Sequence, residues 1–275
     1  MINAVGNRMM REMARQQKLS TQLETTQIQI STRKRLQRMS DDPVSARRIQ
    51  TIGTTQASMN SWATNIKTGQ AQTSQADGVL KSVSSLLSRA NELTISAASD
   101  TMGPAERVSI AAELNAIANE IDGLAATRDS NGEPLFATGT ARVVRFDSDV
   151  TFAPVPSAAD VFVMGGNSLS TSLRDIATAV GAGDKPGMGA ALTTLTAAID
   201  YVGNQNASLG LSAGRLERID DALKARGIEI ADERSSIEDT DLEMAIAQLN
   251  AQELTLSAAQ AAFAKINRQT LFDLL

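Results

Sequence analysis

The sequence predicts a mainly α-helical protein, an elongated rod of long helices (a terminal coiled coil plus a helical bundle) with a small β-rich insertion. Three observations carry this prediction. Only 3% of the 275 residues are aromatic, although 42% are hydrophobic. Large aromatics supply much of the buried area of a thick core, so narrow aliphatic seams between helices fit this composition better. Aliphatic residues recur at helical spacing towards both ends of the chain, and β-favouring residues cluster between them.

Two residue types are absent, and their absence limits the catalytic and metal-binding functions that the chain could have. The chain has no cysteine and no histidine, which removes disulfides, thiolate nucleophiles and the commonest general base and metal ligand. We therefore expect no enzyme, no cofactor and no metal site. The net charge of −5 argues against nucleic acid as a partner.

The N-terminal residues bear on where the protein acts. No apolar run approaches the roughly 20 residues that cross a bilayer, so we expect no membrane association. Residues 1–20 contain no hydrophobic block, and a cleavable signal peptide is not predicted. The absence of cysteine is typical of cytosolic proteins, and it is equally compatible with export as an unfolded chain.

The first helix is predicted over residues 1–36. It has a coiled-coil-like seam that is interrupted by polar residues such as Glu12, Gln16 and Thr26. A stripe this thin indicates that the helix needs a packing partner. The apolar seam residues, which we predict to form an assembly interface, are Val5, Met9, Leu19, Leu23 and Ile30.

Two further helices are predicted to follow from capping signals. Asp41 and Asp42 precede Pro43, and an acidic cap with proline in the first turn favours a helix start there. That helix is predicted to run to residue 98. A third helix is predicted over 104–127, and it ends at the turn signal Asp129-Ser130-Asn131-Gly132.

The spacing of the hydrophobic residues changes from a helical to a β-like pattern in the middle of the chain. Valine and phenylalanine predominate over residues 134–166, which predicts the β-rich segment. Helix is predicted again from about residue 170, with a Gly/Pro loop at 181–189 and a last helical stretch that extends to about 271. In that stretch Leu242, Leu249, Leu256 and Phe263 recur every seven residues and extend the predicted assembly interface.

The two ends of the chain carry opposite net charges. Ten Lys/Arg against four Asp/Glu give residues 1–50 a charge of +6, and three against nine give residues 229–275 a charge of −6. Opposite charges favour contact between the two ends, within one subunit or between neighbours.

The predicted elements divide the chain into five segments. The segments are an N-terminal coiled-coil half (1–40), two parts of a helical rod (41–133 and 169–238), the insertion (134–168) and a C-terminal coiled-coil half (239–275).

Short motifs at both ends resemble the flagellin superfamily. Ser31, Thr32 and Arg35, followed by Ser40 to Pro43, are similar to its N-terminal signature, although Arg33 stands where the family has glycine. Leu209-Gly210 with Arg215-Leu216, and the segment from Ser235 through Ile237 to Asp241, are similar to its C-terminal signature. The resemblance covers roughly residues 1–135 and 200–275.

Three features resemble the hook-associated members of this superfamily that lie at the hook–filament junction. They are Pro43, the segment from Asn131 to Gly139, and the ending from Thr270 to Leu275. The resemblance implies a structural subunit that joins the hook-side hook-associated protein to the filament. A short flagellin that forms the filament itself is the alternative.

The resemblance also implies an arrangement and partners. The terminal helices, about 1–38 and 240–275, would form a coiled coil, with a second helical layer from about 43–130 and 185–238. The implied partners are further copies in a homo-oligomer, flagellin, another hook-associated protein and a cytoplasmic export chaperone. The implied location is the extracellular flagellum, reached by type III export.

Several residues carry two interpretations. Glu238, Asp239 and Asp241 could suggest a metal site, but we favour capping of the last helix, with Glu238 and Asp239 as caps. Arg89, Glu92 and Leu93 resemble a flagellin segment that vertebrate innate receptors recognise. A local Arg89–Glu92 pair and a surface for subunit packing explain these residues better. Two further alternatives have little support: the insertion is too short to hold a deep pocket as an adhesin would need, and no catalytic constellation supports an enzyme.

Overall fold

The computed structural model describes the backbone of residues 2–272 and the side-chain surroundings of residues 7 and 9–265. Seven helices occupy most of this part of the chain. They are α1 (Ile2–Thr32), α2 (Pro43–Ala97), α3 (Pro104–Ala125), α4 (Ala158–Phe162), α5 (Leu169–Ala182), α6 (Lys185–Glu238) and α7 (Leu242–Phe272). Four two-residue strands lie between α3 and α5, namely β1 (Val144–Arg145), β2 (Thr151–Phe152), β3 (Val163–Met164) and β4 (Asn167–Ser168). The mainly α fold class is confirmed.

The chain divides into two compact units. The terminal unit contains residues 1–56 and 227–275, and the central unit contains residues 57–226. The terminal unit therefore extends beyond the sequence-based limits of 40 and 239. Polar contacts explain the extension, because Arg48 pairs with Glu233 and Arg234 donates a hydrogen bond to Gln56 (3.2 Å).

A seven-residue period organises the long helices of the central unit. In α2 the side chains buried at this spacing include Ile66, Thr73, Leu80, Leu87 and Thr94. Helix α6 has the same period, with Met188, Leu195, Val202, Leu209, Leu216 and Leu223. A sustained heptad keeps one stripe of a helix facing its neighbours, as in coiled coils. This packing explains how a chain with few aromatics builds a core.

Helices α3 and α5 add a second pair to this core. Pro104 is the first residue of α3, where its missing N–H costs no hydrogen bond. The Ser168 hydroxyl caps α5 by accepting from the Thr171 N–H, and Gly183 ends the helix in the left-handed conformation. Arg174 of α5 lies 2.6 Å from the Asp122 carboxylate of α3. Both helices contribute to the cluster that contains the α2 and α6 side chains.

The insertion contains less β-structure than the sequence predicts. Strands β1 and β2 form one antiparallel hairpin and β3 and β4 another. Val161 and Phe162, which have β-favouring side chains, lie in α4 because Ser157 and Asp160 form a capping box that starts a helix there. Phe146 anchors the first hairpin, since its ring is fully buried and lies 3.2 Å from the position that a Cβ on Gly69 would occupy.

Two helix boundaries differ from the sequence-based expectation. Helix α6 begins at Lys185, inside the expected loop 181–189, because Pro186 lies in its first turn and is tolerated there. The last helical stretch is interrupted at residues 239–241, where the chain leaves the helix to form a β-bridge between Asp239 and Lys34.

Candidate assembly interface

Helices α1 and α7 pack against each other in antiparallel orientation. The Gln16 amide donates to the Ala259 carbonyl (3.5 Å), and the β-bridge between Lys34 and Asp239 is antiparallel. On α1, half-buried or buried side chains recur in alternating steps of four and three, at residues 12, 16, 19, 23, 26 and 30. The α7 face has the same spacing, at residues 245, 249, 252, 256, 259 and 263. We call these two facing stripes the terminal seam.

Most of the predicted interface residues lie on the terminal seam. Leu19, Leu23 and Ile30 of α1 are half-buried there, as are Leu249, Leu256 and Phe263 of α7. Met9 and Leu242 are more exposed, at 41% and 38%. The side chain of Val5 lies outside the described residues.

Sequence reasoning missed three seam positions on α7. Ala245 is buried, and Gln252 and Ala259 are half-buried. They occupy the second register position of the heptad that the leucines define, so this spacing was the available signal. The Gln252 Oε1 atom is buried without a hydrogen-bond partner among the described residues. Together with the buried Thr26, it makes the seam polar near its middle.

A backbone bridge closes the seam at one end. The Arg35 N–H donates to the Glu238 carbonyl (2.8 Å), and the Thr240 N–H donates to the Arg33 carbonyl (2.9 Å). The Arg35 guanidinium also donates to the Ile237 carbonyl (2.9 Å). We call residues 33–35 and 237–240 the connector bridge. Two of the motif residues, Arg35 and Ile237, therefore contact each other across the chain.

The remaining N-terminal motif residues shape the chain before α2. The hydroxyls of Ser31 and Thr32 donate to the Ile28 carbonyl (3.0 and 2.7 Å), which ties them to the last turn of α1. The Thr32 hydroxyl also accepts from the Gln37 amide (2.7 Å). Pro43 is the first residue of α2.

Arg33 has an unusual backbone conformation. Its φ is +58°, and it is the one non-glycine residue with a positive φ in the described part of the chain. It follows the last residue of α1, where helices commonly end on a left-handed glycine. This geometry explains why the resembling signature carries glycine at this position.

Ion pairs surround the connector bridge. The Glu238 carboxylate accepts from Lys34 and from Arg234 (2.8 Å), and the Lys34 hydrogen bond contributes most to lowering the pKa of Glu238. The Arg48 guanidinium meets both carboxylate oxygens of Glu233, at 2.6 and 2.8 Å, and lowers the pKa of that carboxyl. These contacts join the two oppositely charged ends of the chain.

The helix caps fall partly on the expected residues. The Asp42 carboxylate accepts from the N–H groups of Val44 and Ser45 (3.2 and 3.1 Å), and the Ser45 hydroxyl contributes most to lowering the pKa of Asp42. Asp41 instead accepts from the Arg38 N–H in the preceding turn (2.9 Å).

The acidic group before α7 differs from the expectation. Asp241 is the cap, since its carboxylate accepts from the Met244 N–H (3.1 Å). Glu238 is the last residue of α6, and Asp239 accepts from the Ser235 hydroxyl one turn earlier in α6. The expectation that Glu238 and Asp239 cap α7 is corrected, because the Glu238 carboxylate binds Lys34 and Arg234, and the Asp239 carboxylate binds Ser235 of α6.

The predicted pair on α2 is present and has a third member. Arg89 lies 3.5 Å from Glu92 and donates to Glu113 of α3 (3.0 Å), and the Glu113 hydrogen bond contributes most to raising the pKa of Arg89. Leu93 is only 7% exposed and belongs to the core. Arg89 therefore joins α2 to α3, and Leu93 is not available for contact with another molecule in this conformation.

Metal binding and membrane insertion each need a particular arrangement of side chains. Among residues 7 and 9–265, no three Asp or Glu side chains are grouped as a metal ion would need. No described helix is both long enough and apolar enough to cross a membrane.

The two terminal regions of the sequence match models of a known protein family. Residues 3–141 match the bacterial flagellin N-terminal helical region, and residues 192–275 match the bacterial flagellin C-terminal helical region. The chain belongs to the flagellin family. Proteins of this family are structural components of the bacterial flagellum.

Individual relatives fall in two groups. Flagellar hook-associated protein 3 of Escherichia coli (strain K12) is 26% identical and aligns over 90% of both chains. The flagellar filament 30.7 kDa core protein of Treponema maltophilum is 28% identical over 87% of both chains. Among solved structures, hook-associated protein 3 of Legionella pneumophila has a TM-score of 0.63 at 11% identity and covers 69% of this chain and 98% of that chain. These likenesses support the flagellin-like fold and favour the hook-associated members.

Proposed function

We propose that this chain is a structural subunit of the bacterial flagellum that joins the hook-side hook-associated protein to the filament. The proposal rests on the packing of α1 against α7, because large apolar side chains remain exposed on the outer faces of the two paired helices. Met10 (66% exposed) and Met13 (55%) lie on α1, and Met244 (66%) and Leu254 (73%) lie on α7. Large exposed apolar side chains on two paired helices are typical of a surface that neighbouring subunits cover.

The proposed neighbours follow from this position in the flagellum. Further copies of the chain would form the junction layer, flagellin would contact it on one side, and another hook-associated protein would contact it on the other. The relative named hook-associated protein 3, aligned over 90% of both chains, supports this assignment. Pro43 supports it through the resemblance to hook-associated members.

Export from the cell, with binding by a chaperone before export, forms the second part of the proposal. We propose that the chain leaves the cell through the flagellar type III apparatus, without a cleaved signal peptide, and functions in the extracellular flagellum. A cytoplasmic chaperone would bind the C-terminal region before export. The exposed Ile246 (48%) and Leu254 (73%) of α7 support this, since an apolar helix face docks into a chaperone groove through such anchors.

A short flagellin remains the second candidate. The filament core protein of Treponema maltophilum (28% identity) and a flagellin of Bacillus subtilis (27% identity, 74% of this chain) favour it. Copy number separates the two functions, because a filament contains many more subunits than a junction. Quantitative mass spectrometry of purified flagella should give a ratio to the hook subunit well below one for a junction protein and well above one for a flagellin.

Removal of the C-terminal half of the seam tests the assembly proposal. A chain truncated after residue 239 lacks α7, and we expect it to be lost from flagella while the central unit keeps its helical signal. Cells with this truncation should keep hooks and release flagellin into the medium. Normal filaments on the truncated protein would contradict assembly through α1 and α7.

A further inference from the structure

We propose that the connector between α1 and α2 carries a basic surface that binds an acidic surface on α6 of a second copy of this chain. The basic surface consists of Arg33, Arg38 and Arg47 with the apolar side chains of Met39 and Val44. The acidic surface consists of Glu229 and Asp232 with Ile228. This inference rests on the proposed function, because it names the contact that brings neighbouring subunits together.

The basic surface contains cations that have no carboxylate partner among the described residues. Residues 33–48 include six Lys and Arg residues, and three of these six have carboxylate partners in the same chain. Lys34 pairs with Glu238, Arg35 lies 3.7 Å from Asp42, and Arg48 pairs with Glu233. The side chains of the other three are exposed and have no ion pair or hydrogen bond with the described residues. These are Arg33, Arg38 and Arg47.

Arg33 is the most informative of these cations. It holds a left-handed backbone, with φ +58°, that glycine would adopt at lower cost. Its carbonyl accepts from Thr240 whatever the side chain is, so the connector bridge explains the backbone but not the arginine. An arginine that occupies this strained position, and whose side chain has no ion pair or hydrogen bond with the described residues, points to a contact outside the chain.

Apolar side chains accompany the free cations. Met39 is 72% exposed and Val44 is 76% exposed. Val44 and Arg47 are three residues apart in the first turns of α2, so they share one helix face. A surface that combines exposed apolar side chains with charged ones has the composition of a protein interface.

The acidic surface has the complementary composition. Glu229 and Asp232 are exposed, three residues apart on α6, and without an ion pair or hydrogen bond in the described part of the chain. Ile228 beside them is 64% exposed. Both surfaces belong to the terminal unit, so every copy of the chain carries both.

A second copy is the partner that this pairing favours. Two different surfaces that complement each other give a head-to-tail contact, which produces a ring or a helical array rather than a closed dimer. A junction layer is such an array. Pairing of complementary charges across the contact fixes which neighbour binds and in which register.

Charge reversal in both directions tests the pairing. Purified full-length chain would be examined by analytical ultracentrifugation in low salt and in about 0.5 M NaCl. We expect Arg38→Glu/Arg47→Glu to weaken self-association at least tenfold, and Glu229→Arg/Asp232→Arg to do the same. An equimolar mixture of the two variants should regain association, because each supplies one reversed surface. The control matched to Arg38→Glu/Arg47→Glu is Lys67→Glu/Arg218→Glu, which makes the same charge change on exposed residues of the central unit.

Arg33 permits a separate test, because replacing it with glycine should change stability and association in opposite directions. Arg33→Gly should raise the melting temperature of the monomer and weaken association several-fold. Arg33→Ala should weaken association equally without raising the melting temperature, because alanine keeps the left-handed cost. Association of Arg33→Gly at the wild-type level would overturn the role of this side chain.

Localisation in cells separates the failure of this inference from that of the proposed function. If the reversed variants still form junctions and associate normally, the pairing is wrong while the junction function stands. If the mixture regains no association and the variants instead lose binding to purified flagellin or to the hook-side protein, a second copy is the wrong partner. If the wild-type chain is absent from the junction, the proposed function fails independently of the charge variants.

Discussion

Arg48 of α2 and Glu233 of α6 form a two-point ion pair, with Nε to Oε1 at 2.6 Å and Nη2 to Oε2 at 2.8 Å. The planar guanidinium matches the carboxylate, so the contact fixes orientation as well as distance. The pair lies next to the connector bridge, where Lys34 and Arg234 meet Glu238. The two ends of the chain, far apart in sequence, are therefore joined by polar contacts as well as by the terminal seam.

Stability of the terminal unit should depend on pH. The pKa values of Glu233 and Glu238 lie below the ordinary value of 4.5, mainly because of hydrogen bonds from Arg48 and Lys34. A lowered pKa stabilises the fold above the ordinary value, and this stabilisation is lost as pH falls through the folded-state value. We expect amide protection at residues 33–35 and 237–240 to fall below about pH 4.5 in hydrogen exchange.

A double variant provides the control for that pH dependence. Glu233→Gln/Glu238→Gln should show weaker protection at pH 7 and a flatter pH dependence. Glu253→Gln removes an exposed carboxylate and should behave like the wild type. An unchanged pH dependence in the double variant would assign the acid sensitivity to other groups.

Gln252 should limit the stability of the terminal seam. Its Oε1 is buried without a partner, and a buried polar atom of this kind costs about 1–3 kcal/mol. Gln252→Leu should raise the free energy of unfolding of the terminal unit by about 1 kcal/mol or more in urea titrations followed by hydrogen exchange. Gln248→Leu, at an exposed position of the same helix, should change it by less than about 0.5 kcal/mol. Equal effects of the two variants would show that the Gln252 side chain is not buried.

The cap of α7 can be tested by paired alanine substitutions. Asp241→Ala removes the acceptor for the Met244 N–H and should destabilise the start of α7 by about 1 kcal/mol. Asp239→Ala should have a smaller effect on α7, because its carboxylate binds Ser235 of α6. Hydrogen exchange of the first turn of α7 would measure both. A larger effect of Asp239→Ala would restore the sequence-based assignment.

Gly69 should tolerate alanine less well than Gly78. A Cβ at Gly69 would lie 3.2 Å from Phe146 and 3.3 Å from Leu216, whereas a Cβ at Gly78 meets nothing within 4 Å. Gly78→Ala should raise the free energy of unfolding by about 0.5–1 kcal/mol through helix propensity. Gly69→Ala should lose that gain to the close contact. Thermal denaturation of both variants checks this, and an equal gain would contradict the tight packing of Phe146.

Much of the fold follows from local signals in the sequence. Pro43 and Asp42 specify where α2 begins, because a fixed φ and an acidic cap act within one helical turn. Leu249, Leu256 and Phe263 mark the seam through large side chains at heptad spacing. Ala245 and Gln252 were missed because a small or polar side chain gives no hydrophobic signal, although it occupies the same register.

Other features depend on contacts that are remote in sequence. The break between α6 and α7 contains no glycine or proline, and the chain leaves the helix there to pair with residues 33–35. The assignment of a cap at Glu238 failed for the same reason, since Lys34 binds the Glu238 carboxylate, whereas the assignment at Asp239 failed because its carboxylate binds Ser235 within α6. At Arg33, the sequence indicated an exception to the signature, and the structure shows a left-handed backbone there, which explains the glycine of the signature.

The most direct test of the junction function is immuno-gold electron microscopy of intact flagella, with antibody against residues 134–166. The junction function predicts gold confined to a narrow band between hook and filament. Gold along the whole filament would contradict it and would identify the chain as a flagellin.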